Sequence, residues 1–210
     1  MDRVQRMRKS RKLGILTAAG GILLLGFLSA CKTPFSTREP EKPVKPRSSW
    51  ISPHSADQVL SNLQNAVMER NLENAMRCFA QEAYSDRRFA FVPDQEIASN
   101  HPGLFASWDL TQEETVFRQA FSLVPADSLS LLDFPSTVRE AIVSDSAVLV
   151  REYRLVLNHP MADLPRRYEG QAEFHLSEDR KGEWVIHLWI DFKSRADSEP
   201  WSGLKAVLGG

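Results

Sequence analysis

The residues best suited to chemistry are few and scattered. His175 and His187, with Glu173 and Asp191 near them, have the composition of a two-histidine, one-carboxylate metal site. Tyr153 and Tyr168 could donate hydrogen bonds to a developing oxyanion, as the acidic donor of an isomerase does beside a carboxylate base. Such a base would have to come from a helix or the long loop, for example Asp94 or Asp109. No Ser-His-Asp constellation, glycine-rich phosphate loop or cofactor fingerprint is recognisable, so no cofactor is expected. His54, His101 and His159 read as turn or loop residues.

The elements that must position these groups are legible in the hydrophobic periodicity. Ser55 with Gln58 forms a capping pair ahead of a helix whose buried stripe is Val59, Leu60, Leu63, Ala66 and Val67. Asn71 caps a shorter helix with Leu72, Ala75, Met76 and Phe79 on its apolar face. Residues 89–108 read as a long loop with a short extended piece at Phe89, Phe91 and Val92. Thr111 with Glu114 opens a third helix that buries Val116, Phe117, Ala120, Phe121 and Val124 and stops at Pro125.

Beyond Pro125 the pattern alternates. Strands are expected at 129–134, 139–143 and 147–158, followed by a hairpin whose arms are 167–176 and 184–192. Opposed residues in an antiparallel pair share a face, so matching the two apolar sets sets even-numbered residues against even-numbered ones. One face then carries Tyr168, Phe174, Trp184 and Ile186 toward the helices. The other displays Glu169, Glu173, His175, His187, Trp189 and Asp191.

Two expectations follow from that parity. Tyr153, Tyr168 and Trp184 line a cavity if one exists, and Arg151 shares their side of the sheet. Trp189, a large aromatic among charges, is a candidate anchor for an interface such as a homodimer. Mixed polar pairs are ordinary on an exposed sheet face, so no metal is expected at the histidines. With no acidic residue on the apolar face of the hairpin, no catalytic residue is assigned. A non-catalytic module is favoured over an enzyme.

The N-terminus carries a different kind of signal. Arg3, Arg6, Arg8, Lys9, Arg11 and Lys12 run into an uncharged stretch from Leu13 to Ala30, the order of an export signal. The stretch is glycine-rich and short for a stable spanning helix, which needs about 20 mostly apolar residues. Leu28-Ser29-Ala30-Cys31 resembles the lipobox of bacterial lipoprotein signal peptides. The resemblance implies a diacylglyceryl group on the Cys31 thiol, cleavage before Cys31 and acylation of its new amino group. Two or three chains make a durable anchor, since each buried methylene contributes roughly 0.8 kcal/mol. Lys32, by resemblance to Gram-negative sorting rules, directs the protein to the outer membrane, facing the periplasm.

With residues 1–30 as the signal peptide, residues 31–50 form a lipidated, proline-rich tether and 51–210 a single domain. Residues 1–30 hold six of the 26 basic and one of the 27 acidic residues, leaving 20 against 26 and a net charge of −6. That balance, with no basic run interleaved with aromatics, argues against nucleic acid. If Cys31 carries lipid, Cys78 has no partner for an intrachain disulfide and reads as a small buried hydrophobe.

The helices-first order, the long meander, and the Gly182-Glu183-Trp184-Val185-Ile186 strand with Asp191 beyond it resemble the nuclear transport factor 2-like superfamily over residues 55–205. Phe89-Ala90-Phe91-Val92-Pro93, Trp108 with Glu114, and Trp201-Ser202-Gly203-Leu204-Lys205 are similar to stretches of uncharacterised envelope lipoproteins of this type. The resemblance implies an α+β fold in which N-terminal helices pack on a curved antiparallel sheet that forms a cone. Ketosteroid isomerases and scytalone dehydratases use the open end of that cone as a pocket, while interaction modules leave it empty. The expectation is therefore a binding module for an envelope protein or a small apolar ligand, with an isomerase- or dehydratase-type enzyme as the alternative.

Overall fold

A computed structural model describes residues 48–210. The expected signal peptide, Cys31 and all but the last three residues of the expected tether lie outside the described residues. Ser48 and Ser49 contact the helices: the Ser48 hydroxyl accepts from Asn74 Nδ2 and the Ser49 amide donates to Glu69. Trp50 lies under the Arg77 guanidinium, 4.0 Å from its ring centroid.

Helix α1, Ala56–Glu69, starts at Ser55, whose hydroxyl accepts the Gln58 amide, and buries the expected stripe. It ends at Arg70 in the left-handed region, with φ of 52°. The Arg70 guanidinium then donates to the carbonyls of Val124, Pro125 and Ala126, tying the end of α1 to that segment. Helix α2, Leu72–Arg77, is capped by Asn71. Strand β1, Ala90–Val92, is the short extended piece, and helix α3, Gln95–Asn100, occupies part of what the sequence presents as loop. Helix α4, Leu110–Leu123, opens two residues earlier than expected: Asp109 with Gln112, not Thr111 with Glu114, forms the capping box.

The sheet is β2, Ser130–Val143; β3, Ser146–Leu157; β4, Arg167–Glu178; and β5, Trp184–Lys193. Helix α5, Trp201–Leu208, follows. Strand order is β1-β5-β4-β3-β2, antiparallel throughout except for the parallel β1–β5 edge. The two strands expected before residue 144 are one, because register shifts around Pro135 and Val138 bend β2 without ending it. Its outer half, Ser136–Val143, is exposed.

The parity expected for the final hairpin holds for half of its length only. Glu178 pairs with Trp184 and Leu176 with Ile186, but His175 pairs with Leu188 and Phe174 with Trp189. His187 is thus the extra residue of a β-bulge, and everything beyond it changes face. Trp189 and Asp191 are fully buried, while Phe192 is exposed. The interface-anchor reading of Trp189 is therefore corrected: it is a core residue at 0% exposure.

Candidate functional site

The bulge places a carboxylate inside the cone. Tyr153 on β3 lies opposite Gly170 on β4, and Asp191 on β5 lies opposite Ala172. A Cβ at position 170 would sit 2.5 Å from both the Tyr153 hydroxyl and the Phe192 carbonyl. Glycine there leaves the gap through which the Tyr153 ring crosses β4, and its hydroxyl donates to Asp191 Oδ1 at 2.7 Å.

The other partners of this pair come from α5. Asp191 Oδ2 accepts from the Ser202 amide at 2.7 Å and from its hydroxyl at 2.5 Å, and the Tyr153 oxygen accepts the Trp201 amide at 2.6 Å. Pro200, at the helix start, offers no side-chain cap. Asp191 and Tyr153 supply the cap from the sheet instead, and a carboxylate at that end is also favoured by the helix dipole. Burial raises the Asp191 pKa, and the hydrogen bonds from Ser202 and Tyr153 oppose it. Burial, then the Asp191 charge, lifts the Tyr153 phenol well above its ordinary value.

One helical turn further along, Lys205 is fully buried. Its ammonium donates to Glu113 Oε2 at 2.8 Å, an oxygen that also accepts Trp108 Nε1 at 2.8 Å. The same ammonium lies 3.3 Å from the Phe91 ring centroid and 3.8 Å from that of Trp189. Burial lowers its pKa to about 8 against the pull of Glu113. The carboxylate beside Trp108 is thus Glu113. Glu114 is on the surface, paired with Arg118.

Between these polar contacts α5 fills the cone with apolar surface. The Trp201 ring stands edge-on to Trp189 at 4.7 Å and packs against Phe117 and Tyr153. A cavity of about 10 Å³ is left among Val116, Phe117, Phe121, Leu155, Trp201 and Leu204. That is room for one water at most.

Of the residues expected to line a pocket, Tyr153, Tyr168 and Trp184 are all buried. They do not converge. Tyr153 serves the Asp191 cluster, the Tyr168 hydroxyl is buried without a partner, and Trp184 pairs with Glu178 at the far end of the hairpin. Asp94 and Asp109 are not free bases. Asp94 caps α3 and accepts the Lys193 amide, and Asp109 caps α4. Arg151 is buried but paired with Asp57 and Glu140.

On the outer face, His175 and His187 stand edge to face with centroids 6.2 Å apart, and His175 Nε2 meets Glu173 at 2.7 Å. Asp191 is on the opposite side of the sheet, so of the two carboxylates expected beside the histidines only Glu173 shares their face. Among the described residues no group of three or more His, Cys, Asp or Glu side chains is arranged to hold a metal ion. Burial, with Arg87 and His175 nearby, lowers the His187 pKa to about 4. Cys78 is fully buried, with its thiol pushed far above the ordinary range by desolvation, an inert setting.

In sequence, no family model and no curated protein matches this chain. Solved structures do. A nuclear transport factor 2-like superfamily protein from Salmonella enterica superposes with a TM-score of 0.50 at 8% identity, over 67% of this chain and 89% of its own. A conserved protein from Planctomyces limnophilus gives 0.50 at 12% identity, over 65% and 91%. The fold, α+β with helices on a curved antiparallel sheet, is like that of the nuclear transport factor 2-like protein from Salmonella enterica. At these identities the likeness shows architecture alone, and the reading of the site rests on its own residues.

Glu113, Ser202 and Lys205 are the interior residues that sequence reasoning missed. A signal existed for one of them: helical spacing sets Trp201, Leu204 and Lys205 on one face, and a lysine on a buried face requires a counter-charge.

Proposed function

We propose that this chain is a lipoprotein of the cell envelope, anchored through lipid on Cys31 to the outer membrane and facing the periplasm. Its soluble domain is a non-catalytic binding module. The observation that carries the second part is the occupied cone: α5 fills the space where a substrate would sit and holds Asp191 Oδ2 through Ser202, while the Tyr153 hydroxyl holds Oδ1. A partner, whether another envelope protein or a second copy of this chain, would then use the outer surface. There the free edge of β2 carries Val138, Ile142 and Val143 in the open, beside a groove of about 370 Å³ that reaches His175 and His187. A small apolar ligand would have to lie in such a surface groove.

The enzyme reading, an isomerase or dehydratase, has one observation in its favour, the buried Tyr153–Asp191 pair. It requires that pair to face a substrate, whereas in the closed cone it faces the α5 backbone.

Two measurements test the proposal. Cys31→Ser abolishes labelling by radioactive palmitate and moves the protein from the membrane to the soluble fraction; unchanged retention would overturn the anchor. Titration of the purified domain with a steroid-sized apolar compound leaves the fluorescence of its buried tryptophans unchanged. Saturable quenching would mean that the cone opens to a ligand, which removes the observation on which the non-catalytic reading rests.

A further inference from the structure

The interior of the cone holds a charge that packing alone does not require. A helix serving only to fill an apolar cone would present leucine or methionine where α5 presents Lys205, because a buried ion pair gains little over well-packed apolar side chains. The ammonium sits instead in a receptor of defined composition. Phe91 and Trp189 offer ring faces at 3.3 and 3.8 Å, Trp108 lies 5.9 Å away, and Glu113 supplies the carboxylate. Aromatic faces around a cation are the means by which proteins recognise organic ammonium groups.

Lys205 leaves that receptor partly unused. Glu113 Oε1 is buried with no hydrogen-bond partner, and so is Nε1 of Trp189 in the cage wall. Buried polar atoms are nearly always paired, so the unpartnered Glu113 oxygen marks a contact that the present occupant does not make, whereas the Trp189 N–H is a donor that an ammonium does not satisfy. Lys205 reaches Oε2 alone. A free ammonium, not constrained by a helix backbone, can direct its N–H groups to both carboxylate oxygens.

We infer that the Phe91–Trp108–Glu113–Trp189 cage is a binding site for a small primary amine, occupied in the closed state by the chain's own Lys205. Primary amines fit better than quaternary ones, which have no N–H to offer Glu113. Entry requires α5 to withdraw. Its connection to β5 includes the exposed segment Ser194–Asp197, and its polar anchors inside the cone are the contacts of Trp201, Ser202 and Lys205. The inference deepens the binding-module reading by naming a ligand class for the cone itself. If it fails, partner binding on the outer face is untouched.

The test uses n-propylammonium, which reproduces the Cγ, Cδ, Cε and ammonium that Lys205→Ala removes. Added to the folded variant, it produces a saturable rise in melting temperature that 1-propanol does not. In the wild-type chain, amide hydrogen exchange across α5 is followed as n-propylammonium is added. Loss of α5 protection is the expected result, and this arm decides the matter even if Lys205→Ala does not fold. Unchanged protection in the wild type overturns the inference, whatever the variant does, and leaves Lys205 as a fixed clamp. A response to a lysine-bearing peptide but not to the free amine overturns the small-molecule assignment.

Discussion

Glu113→Ala lowers the unfolding free energy by about 3–5 kcal/mol, the cost of stripping one partner from a buried ion pair. Glu113 is fully buried, and its Oε2 holds both the Lys205 ammonium and the Trp108 indole N–H. Alanine leaves both donors unpartnered in the interior. The ring faces of Phe91 and Trp189 hold the cation only in part, since cation–π contacts contribute about 2 kcal/mol when desolvated.

The pH dependence identifies the mechanism. Lys205 titrates near 8 in the folded chain, below its ordinary value of 10.5, because burial outweighs Glu113. Between those two values the unfolded chain binds the proton that the folded chain has lost, so this lysine makes stability rise with pH across the window. Removing Glu113 takes away the largest influence holding that pKa up, so the window of rising stability opens at a lower pH. Urea denaturation of the wild type and Glu113→Ala from pH 6 to pH 10 reads both effects. Replacing the pair together, with Glu113→Leu and Lys205→Met, recovers most of the loss, because apolar groups of similar volume substitute well for a buried pair. A loss below about 1 kcal/mol for Glu113→Ala would mean that water reaches the pair and that the cone is not closed.

What the sequence revealed and what it hid follow from the same physics. Helices α1 and α4 and strands β3 and β4 were legible because each buries one face more than the other, so their periods stand out. Strand β5 has no such contrast. Seven of the nine residues from Trp184 to Phe192 are apolar, and both parities satisfy the core. Asp191 was then the natural marker of the solvent side, and it misled. Its burial depends on Ser202, eleven residues on, and Tyr153, thirty-eight residues back, which no local pattern links. The bulge at His187 is the physical cause, since one extra residue reverses every side chain beyond it. Helix α5 was hidden for a related reason. Its N-terminal cap is a carboxylate from another strand, so Pro200 gives none of the local signals by which helix starts are read.

Asp191→Ala is the second large effect, a loss of about 3 kcal/mol or more, because one substitution leaves three buried donors without an acceptor. These are the Tyr153 hydroxyl and the amide and hydroxyl of Ser202. Asp191→Asn costs less, about 1–2 kcal/mol, since the amide oxygen still accepts from Ser202 while its NH₂ must face the Tyr153 hydroxyl. Tyr153→Phe falls in the same range: it removes the donor to Asp191 and the acceptor for the Trp201 amide, yet keeps the ring packed on Trp201. The double variant Asp191→Ala with Tyr153→Phe costs less than the sum of the singles, because each breaks the bond they share. Hydrogen exchange separates a helix cap from a general contribution to the core. If the pair caps α5, Asp191→Ala strips protection from the amides of Trp201 and Ser202 while those of β3 and β4 follow global unfolding. Equal loss of protection across helix and sheet would assign Asp191 to the core alone. A variant as stable as the wild type would mean that the carboxylate is free of α5 in solution, and the catalytic reading of the Tyr153–Asp191 pair would then be the better one.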